Sequence, residues 1–526
     1  MTDLVSLLVA GRPGDEEAVR RTVASALRQD SRRWELVVAM PRVPVDDLAA
    51  ARSGQRPAGR TDERGADARV RHVAVDVPVD LPTTDLTAHL LEAARRVARG
   101  TVLGVLGPGD ELEPGALAAV AVLLEAEDRP DVLYTDEQWP GEGAAGIATK
   151  PDFLPHHHRS YPYLGRLCLV RTALAAQVGG FRPGMTGVEE WDLQLRVTEA
   201  ADRVVHLPVV AVSRPVPPPA DEATRASALR AVGDVVARSG RAGTVEPAEV
   251  APGVRVWWAV DDPPLVSVII PTAGGRRTIR GEDGVVLERA LRSLVERTTY
   301  ERWEVVLVTS EHTPPEVVDD ARQLLGDRLV HAPVPGAFNF STSVNEGARL
   351  ASGELLLLLN DDTEALEPRW LERMVSVAQE PTVGVVGAKL LFEDRTIQHV
   401  GVIFTDSGTP AHNLIFEADA PDTFGRKVLD TDYSAVTGAC LLTRASLFAQ
   451  VGGFSPDLPL NFNDVDYCLK VRARGLDVVC TPFAVLHHYE SSTRSAHIEQ
   501  SESDHLERRW GLRRMLDPHP QYRTGV

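Results

Sequence analysis

The sequence predicts an α/β protein in which one unit, a mainly parallel sheet flanked by helices, occurs twice. Three observations carry this. Short β-branched apolar runs alternate with helical segments, the pattern of strand–helix–strand units. Paired blocks recur in the same order in the two halves of the 526 residues. In each half an apolar strand also runs into a turn at its carboxyl end, which is where such sheets collect ligands.

Each copy opens on a strand, LVSLLVA (4–10) and LVSVIIPT (265–272). A helical segment follows, EEAVRRTVASALRQ (16–29) and VLERALRSLVERT (286–298), then a second strand, WELVVAM (34–40) and WEVVLVT (303–309). Further on, RTALAAQVGGF (171–181) answers RASLFAQVGGF (444–454), and VEEWDLQLRV (188–197) answers NDVDYCLKVR (463–472). RVVHLPVVAV (203–212) answers DVVCTPFAVL (477–486). Order and spacing argue for duplication of a domain of roughly 200 residues. The expected division is a first domain over 1–215, a Pro-rich linker with a helix over 216–262, a second domain over 263–500 and a polar tail over 501–526.

Composition narrows the function. A net charge of -19 argues against nucleic-acid or anionic-membrane surfaces. Four scattered cysteines, Cys168, Cys440, Cys468 and Cys480, form neither a zinc spacing nor a disulfide framework and are expected as buried thiols. The N-terminus lacks a signal-peptide pattern, and LLLLL (355–359) is far too short to span a membrane, so a soluble cytoplasmic protein is expected.

The second copy carries the chemistry. GELLLLLNDDTEALEP (353–368) is a buried strand ending in Asn360, Asp361 and Asp362. Hard oxygen ligands on such a turn suit Mg²⁺ or Mn²⁺; an Asp-capped turn is the plainer alternative. The first copy has Gly107, Pro108 and Gly109 at those places. LVSVIIPT, FNFSTSVNEGARLASGELLLLLNDDTEAL (338–366), IQHVGV (397–402), VTGACLLTR (436–444), VGGF (451–454), FNDVDYCLKV (462–471) and LHHYESSTR (486–494) follow in order. Together they resemble the family 2 glycosyltransferases of GT-A fold, and within them the tandem, rhamnosyltransferase-like bacterial members.

The resemblance implies a metal-dependent, inverting transfer of sugar from a nucleotide-diphosphate donor to a hydroxyl acceptor: a glycan, a lipid-linked glycan or a small molecule. Cell-surface polysaccharide or glycoconjugate synthesis is the implied setting. It makes Asp464 the general base; a helix-start acid is the plainer alternative. It makes Asp362, His488 and Asn360 the metal set, with Mn²⁺ or Mg²⁺ as cofactor. Thr272, Asp361, Asn339, Asn345, Arg494 and Glu311 are expected on the donor side, although helix capping competes for the two asparagines. Glu311 stands in for an acid the family carries after its second strand. Asp466, Glu490, His399 and His412 are expected near the acceptor or behind the site, the histidines being equally suited to structural roles. Homo-oligomerisation and a peripheral membrane contact through the acceptor remain open.

In the first copy the pattern degenerates. GPGDEL (107–112) offers no side-chain ligand at its first three positions, although Glu190 holds the place of Asp464. His156, His157 and His158 are expected as a solvated loop. A carbohydrate-binding scaffold without activity and a nucleotidyltransferase are the competing readings. The intact second-copy motifs oppose the first, and the lack of a strong Gly-rich basic loop opposes the second.

Overall fold

The computed structural model describes residues 4–42, 67–139, 146–215, 220–336, 338–405, 407–422, 424–489, 499–512 and 517–519. Two large sheets dominate. The first contains β1 (Val5–Ala10), β2 (Trp34–Pro41), β3 (Val70–Val75), β4 (Val102–Val105), β5 (Glu111–Leu112), β6 (Val132–Gln138), β7 (Leu169–Arg171) and β8 (Val204–Ser213). The second contains β9 (Val266–Thr272), β10 (Trp303–Ser310), β11 (Leu329–Val334), β12 (Leu355–Leu359), β13 (Thr363–Ala365), β14 (Val383–Leu391), β15 (Cys440–Arg444) and β16 (Asp477–His488). Their orders are β3-β2-β1-β4-β7-β6-β8-β5 and β11-β10-β9-β12-β15-β14-β16-β13. Adding eight to each strand number of the first order gives the second, and matching pairs run in the same sense. The duplication read from the paired blocks is therefore a duplication of topology.

Period-two alternation explains the unbroken apolar runs. Leu355, Leu357 and Leu359 pack with Val266, Val268 and Ile270 on one face of the second sheet. Leu356 and Leu358 pack with Ile269 on the other. A strand covered on both sides has no polar face to alternate with. The first sheet repeats this, with Leu8 and Ala10 on one face and Val5, Leu7 and Val9 on the other. All four cysteines are free and buried, as expected. Among the described residues no helix is long and apolar enough to cross a membrane.

The segment between the sheets is packed. Helix Glu222–Ser239 lies on helix Glu189–Ala200 through Ala228, Ala231 and Val232 against Trp191 and Leu195. The hairpin of Gly243–Pro247 and Val254–Trp258 then reaches the second unit, where the Arg373 guanidinium lies 3.6 Å from the Trp257 ring centre.

The three consecutive histidines depart from the expectation of a solvated loop. They lie in helix Pro155–Ser160 and all are buried, His156 and His157 against the second unit and His158 against the Phe153 and Tyr163 rings. The Asp432 carboxylate accepts the backbone N–H groups of His156 and His157 at 3.0 and 3.2 Å and pairs with His156 Nδ1 at 2.5 Å. Arg159 grips Glu380 with two bonds, 2.8 and 3.1 Å. The tripeptide is thus a helix start capped by an acid from the other copy, a long-range contact that local sequence does not announce. Burial alone would lower the His156 pKa, but the Asp432 charge reverses this and holds it at about 9.

This clasp has a pH signature. Because the folded-state pKa is raised, its stabilisation is complete below the unfolded value of 6.5 and is lost as pH rises through about 9. His156→Leu, which strands the buried Asp432 charge, should cost about 3–5 kcal/mol near neutral pH. It should also flatten the fall in denaturant midpoint between pH 6.5 and 9. An unchanged pH slope would assign that fall to other groups.

Candidate active site

The second-copy motifs meet at the carboxyl ends of β9 and β12. A cavity of about 280 Å³ is lined there by Asn360, Asp361, Asp362, His412, Asp464 and His488, among others. Asn360, Asp361 and Asp362 form the turn between β12 and β13. β13 pairs antiparallel with the end of β16, setting Thr363 opposite His488. One register therefore delivers the acidic turn and the imidazole to the same place.

Their arrangement favours a cation. His488 Nε2 lies 3.2 Å from Asp362 Oδ1 and 3.2 Å from Asn360 Nδ2. His488 Nδ1 donates to Gln398 Oε1 at 2.7 Å, and Gln398 Nε2 donates to the His488 carbonyl at 3.3 Å. These two bonds fix the amide orientation and leave the proton of a neutral imidazole on Nδ1. The Nε2 lone pair then accepts the Asn360 amide N–H, with an Asp362 oxygen at the same distance, so the three side chains converge on one point. Asn360, Asp362 and His488 supply the oxygen and nitrogen donors suited to Mn²⁺ and, less well, to Mg²⁺. Gln398 was not among the expected residues. It sits in IQHVGV, where the adjacent histidine draws attention first.

Asp361 turns toward β9, where its Oδ2 accepts the Thr272 hydroxyl at 2.6 Å. That hydroxyl accepts the Gly274 N–H at 3.0 Å, so the bond ties the two strand ends together. Asp464 is the second residue of helix Asn463–Arg472. Its Oδ2 accepts the Gly438 N–H and its Oδ1 the Val465 N–H, both at 2.8 Å. Phe462, just before this helix, is held in the left-handed region at φ 59° and lines the cavity. Strain of this kind in a bulky residue persists where the surroundings enforce it, often at functional sites.

Several expected residues lie elsewhere. Asn339 caps helix Phe340–Leu350, accepting the Thr342 N–H at 2.9 Å and donating to the Pro456 carbonyl at 3.0 Å. Asn345 clamps both backbone groups of Phe454, each at 2.9 Å. Their amides hold loops together and line none of the acidic cavity. Asp466 is fully buried away from that cavity, against Lys470 at 2.9 Å and Trp510 Nε1 at 2.9 Å. Glu311 is exposed beside His312 and does not line the cavity. His399 is buried and accepts the Thr437 N–H on Nε2 at 3.3 Å, while its Nδ1 meets His412 Nδ1 at 2.8 Å. Burial, then His412 and His488, push its pKa well below the usual value, so it stays neutral and supports His412 at the cavity wall. Glu490 and Arg494 lie outside the described residues.

The first copy can be aligned by strand register. β5 sets Glu111 opposite Ser213, as β13 sets Glu364 opposite His487. Placing Glu111 on Glu364 therefore puts Arg214 where the second copy has His488. Pairing of Val102 with Arg171 and of Leu355 with Arg444 likewise puts Arg166 at Ala439, five residues before each arginine. Arg166 Nε lies 3.0 Å from Asp110 Oδ2, and the same guanidinium pairs with Glu190, the counterpart of Asp464.

Comparison with known proteins bears mainly on the second copy. Residues 263–511 match the family model described as glycosyltransferase like family 2. This half of the chain is similar to the family 2 glycosyltransferases over nearly its whole length. The whole chain is 34% identical over 508 residues to the O-antigen biosynthesis protein RfbC of Myxococcus xanthus, covering 94% of this chain and 38% of that protein. It is 31% identical over 542 residues to the uncharacterized protein y4gI of Sinorhizobium fredii, covering 98% and 57%. The chain thus spans well under two thirds of either relative. Among solved structures, GalNAc-T7 with UDP, GalNAc and Mn²⁺ matches at 15% identity and a TM-score of 0.38, over 48% of this chain and 49% of that one. The mannosyltransferase PcManGT from Pyrobaculum calidifontis, with GDP-Man and Mn²⁺, matches at 16% and 0.32, over 53% and 70%. These two likenesses extend over only about half of this chain.

The reassigned asparagines of the second copy are testable. Asn345→Ala removes a two-bond clamp and should cost about 1–3 kcal/mol of stability; Asn339→Ala should cost about 1 kcal/mol. Neither should change a thermal shift produced by nucleoside diphosphates. A variant of unchanged stability that loses that shift would return its asparagine to the donor site.

Proposed function

We propose that the second copy is a metal-dependent, inverting glycosyltransferase that moves a sugar from a nucleotide-diphosphate donor to a hydroxyl acceptor. The observation that carries this reading is the Asp362–His488 pair, with its tautomer set by Gln398, in one cavity with Asp464. A divalent ion held by Asp362, His488 and Asn360 would supply positive charge to the departing diphosphate. Asp361, tied to Thr272, marks the donor side. Asp464 takes the proton of the acceptor hydroxyl. Its two backbone hydrogen bonds hold the carboxylate at the cavity wall. A base apart from the leaving-group site fits one inverting displacement.

The relative named for O-antigen biosynthesis supports a glycan acceptor in surface-polysaccharide synthesis, and the neighbours solved with nucleotide sugars agree with the donor class. The domain division of the sequence reading, with 1–215 degenerate and 263–500 catalytic, is retained within this proposal.

Turnover of a nucleotide-sugar panel with Mn²⁺ tests it. Asp464→Asn should lower turnover by about 100-fold or more while donor binding remains. Asp362→Ala should abolish turnover and metal-dependent nucleoside-diphosphate binding in a folded protein. Gln398→Leu should weaken Mn²⁺ affinity by about 10–100-fold. Parent-like turnover in folded Asp362→Ala would refute the metal assignment, and a product with the donor's anomeric configuration would refute the single displacement.

A further inference from the structure

The larger of the two corresponding clefts belongs to the copy without metal ligands. It encloses about 740 Å³ between the ends of β1 and β4, helix Glu189–Ala200 and the start of helix Glu222–Ser239. That volume is within the range of ligand sites and ample for several sugar rings. By strand register it occupies the region where the second copy places its metal pair and base.

Its electrostatics differ from those of the second copy. Arg166 fills the space left open there by Ala439 and bridges Asp110 to Glu190. Arg214, at the place of His488, lies 3.3 Å from Glu137, which also pairs with the buried Lys150 at 3.3 Å. Two guanidinium groups thus line this edge, Arg214 at the place of His488 and Arg166 beside it at the place of Ala439. Each already faces carboxylates, and Glu189, Asp15 and Asp221 add further acids to the wall. A diphosphate entering here would meet compensated cations and extra negative charge. An uncharged polyol would not. The wall offers it guanidinium and amide donors with carboxylate acceptors, the set that hydroxyl groups use in both directions. Gln194 and Tyr161 line the same cleft, and Arg214 Nε is buried with no hydrogen-bond partner among the described residues.

We propose that the first-copy cleft is a metal-independent binding site for a neutral saccharide, with Arg166 and Arg214 as built-in cations in place of the metal. The choice of a saccharide rests on the glycosyltransferase reading of the second copy; the metal independence rests on the first copy alone. The site holds a growing glycan beside the transferase domain and performs no transfer.

The full chain is applied to a printed array of short neutral hexose and deoxyhexose oligosaccharides and uronic-acid counterparts, in excess EDTA and in Mn²⁺. Neutral glycans should bind equally in both conditions, and Asp362→Ala should leave that binding intact. Thr224→Trp, at a half-buried position on the cleft wall, should weaken it by about ten-fold or more with the thermal transition retained. Arg166→Gln should weaken it similarly. Absence of EDTA-resistant binding to any neutral glycan would overturn the proposal. So would binding that survives Thr224→Trp but is lost in Asp362→Ala, or Mn²⁺-dependent nucleotide-sugar binding that requires Arg166. Turnover by Asp362→Ala would instead refute the metal assignment of the second copy and leave the array result standing.

Discussion

The convergence of Asn360, Asp362 and His488, with Nε2 held 3.2 Å from an Asp362 oxygen, is the constraint on which the site of the second domain is organised. Gln398 fixes the ring from one side, and the register of β13 against β16 fixes the Asp362 backbone opposite it. A hydrogen bond between Tyr489 N and the Asp362 carbonyl at 2.9 Å closes the turn. The protein thus holds oxygen and nitrogen donors together at one strand end. Strands buried on both faces and packed into two apolar layers support that edge.

The same topology in the first copy shows another solution. Its turn lacks ligands, but the space is not empty of charge. Arg166 joins Asp110 to Glu190, and Arg214 stands in the histidine's position. Asp192 repeats the arrangement of Asp466, each buried acid pairing with a base four residues on, Arg196 or Lys470, at 2.6 or 2.9 Å. Both copies therefore share one internal scaffold. They differ chiefly at the carboxyl edge of the sheet, where one groups Asn360, Asp362 and His488 and the other carries Arg166 and Arg214. The clasp from His156 and Arg159 to Asp432 and Glu380 joins the units through charges that are well paired on both sides.

Topology was legible in the sequence because period-two burial and paired blocks are local signals. LLLLL followed by NDD located the turn, and FNDVD located the helix that carries Asp464. Residues acting through a partner distant in sequence were not legible in this way. Gln398 matters because β16 brings His488 beside it, and nothing within IQHVGV states that contact. Asn339 and Asn345 looked like ligand residues from their motif, yet backbone groups of the 454–456 loop take their amides. The three histidines read as solvated because Asp432, the partner of His156 and His157, lies in the other copy. Arg166 and Arg214 became informative only once strand register placed them on Ala439 and His488.

The central claim is that one copy takes a metal and the other carries a substitute for it. Anomalous scattering at the manganese edge, from crystals of the full chain soaked with Mn²⁺ and a nucleoside diphosphate, tests this most directly. The account predicts one strong peak between Asp362 and His488, with density for Arg166 undisturbed between Asp110 and Glu190. A peak beside Asp110 with Arg166 displaced, or none near Asp362, would contradict it.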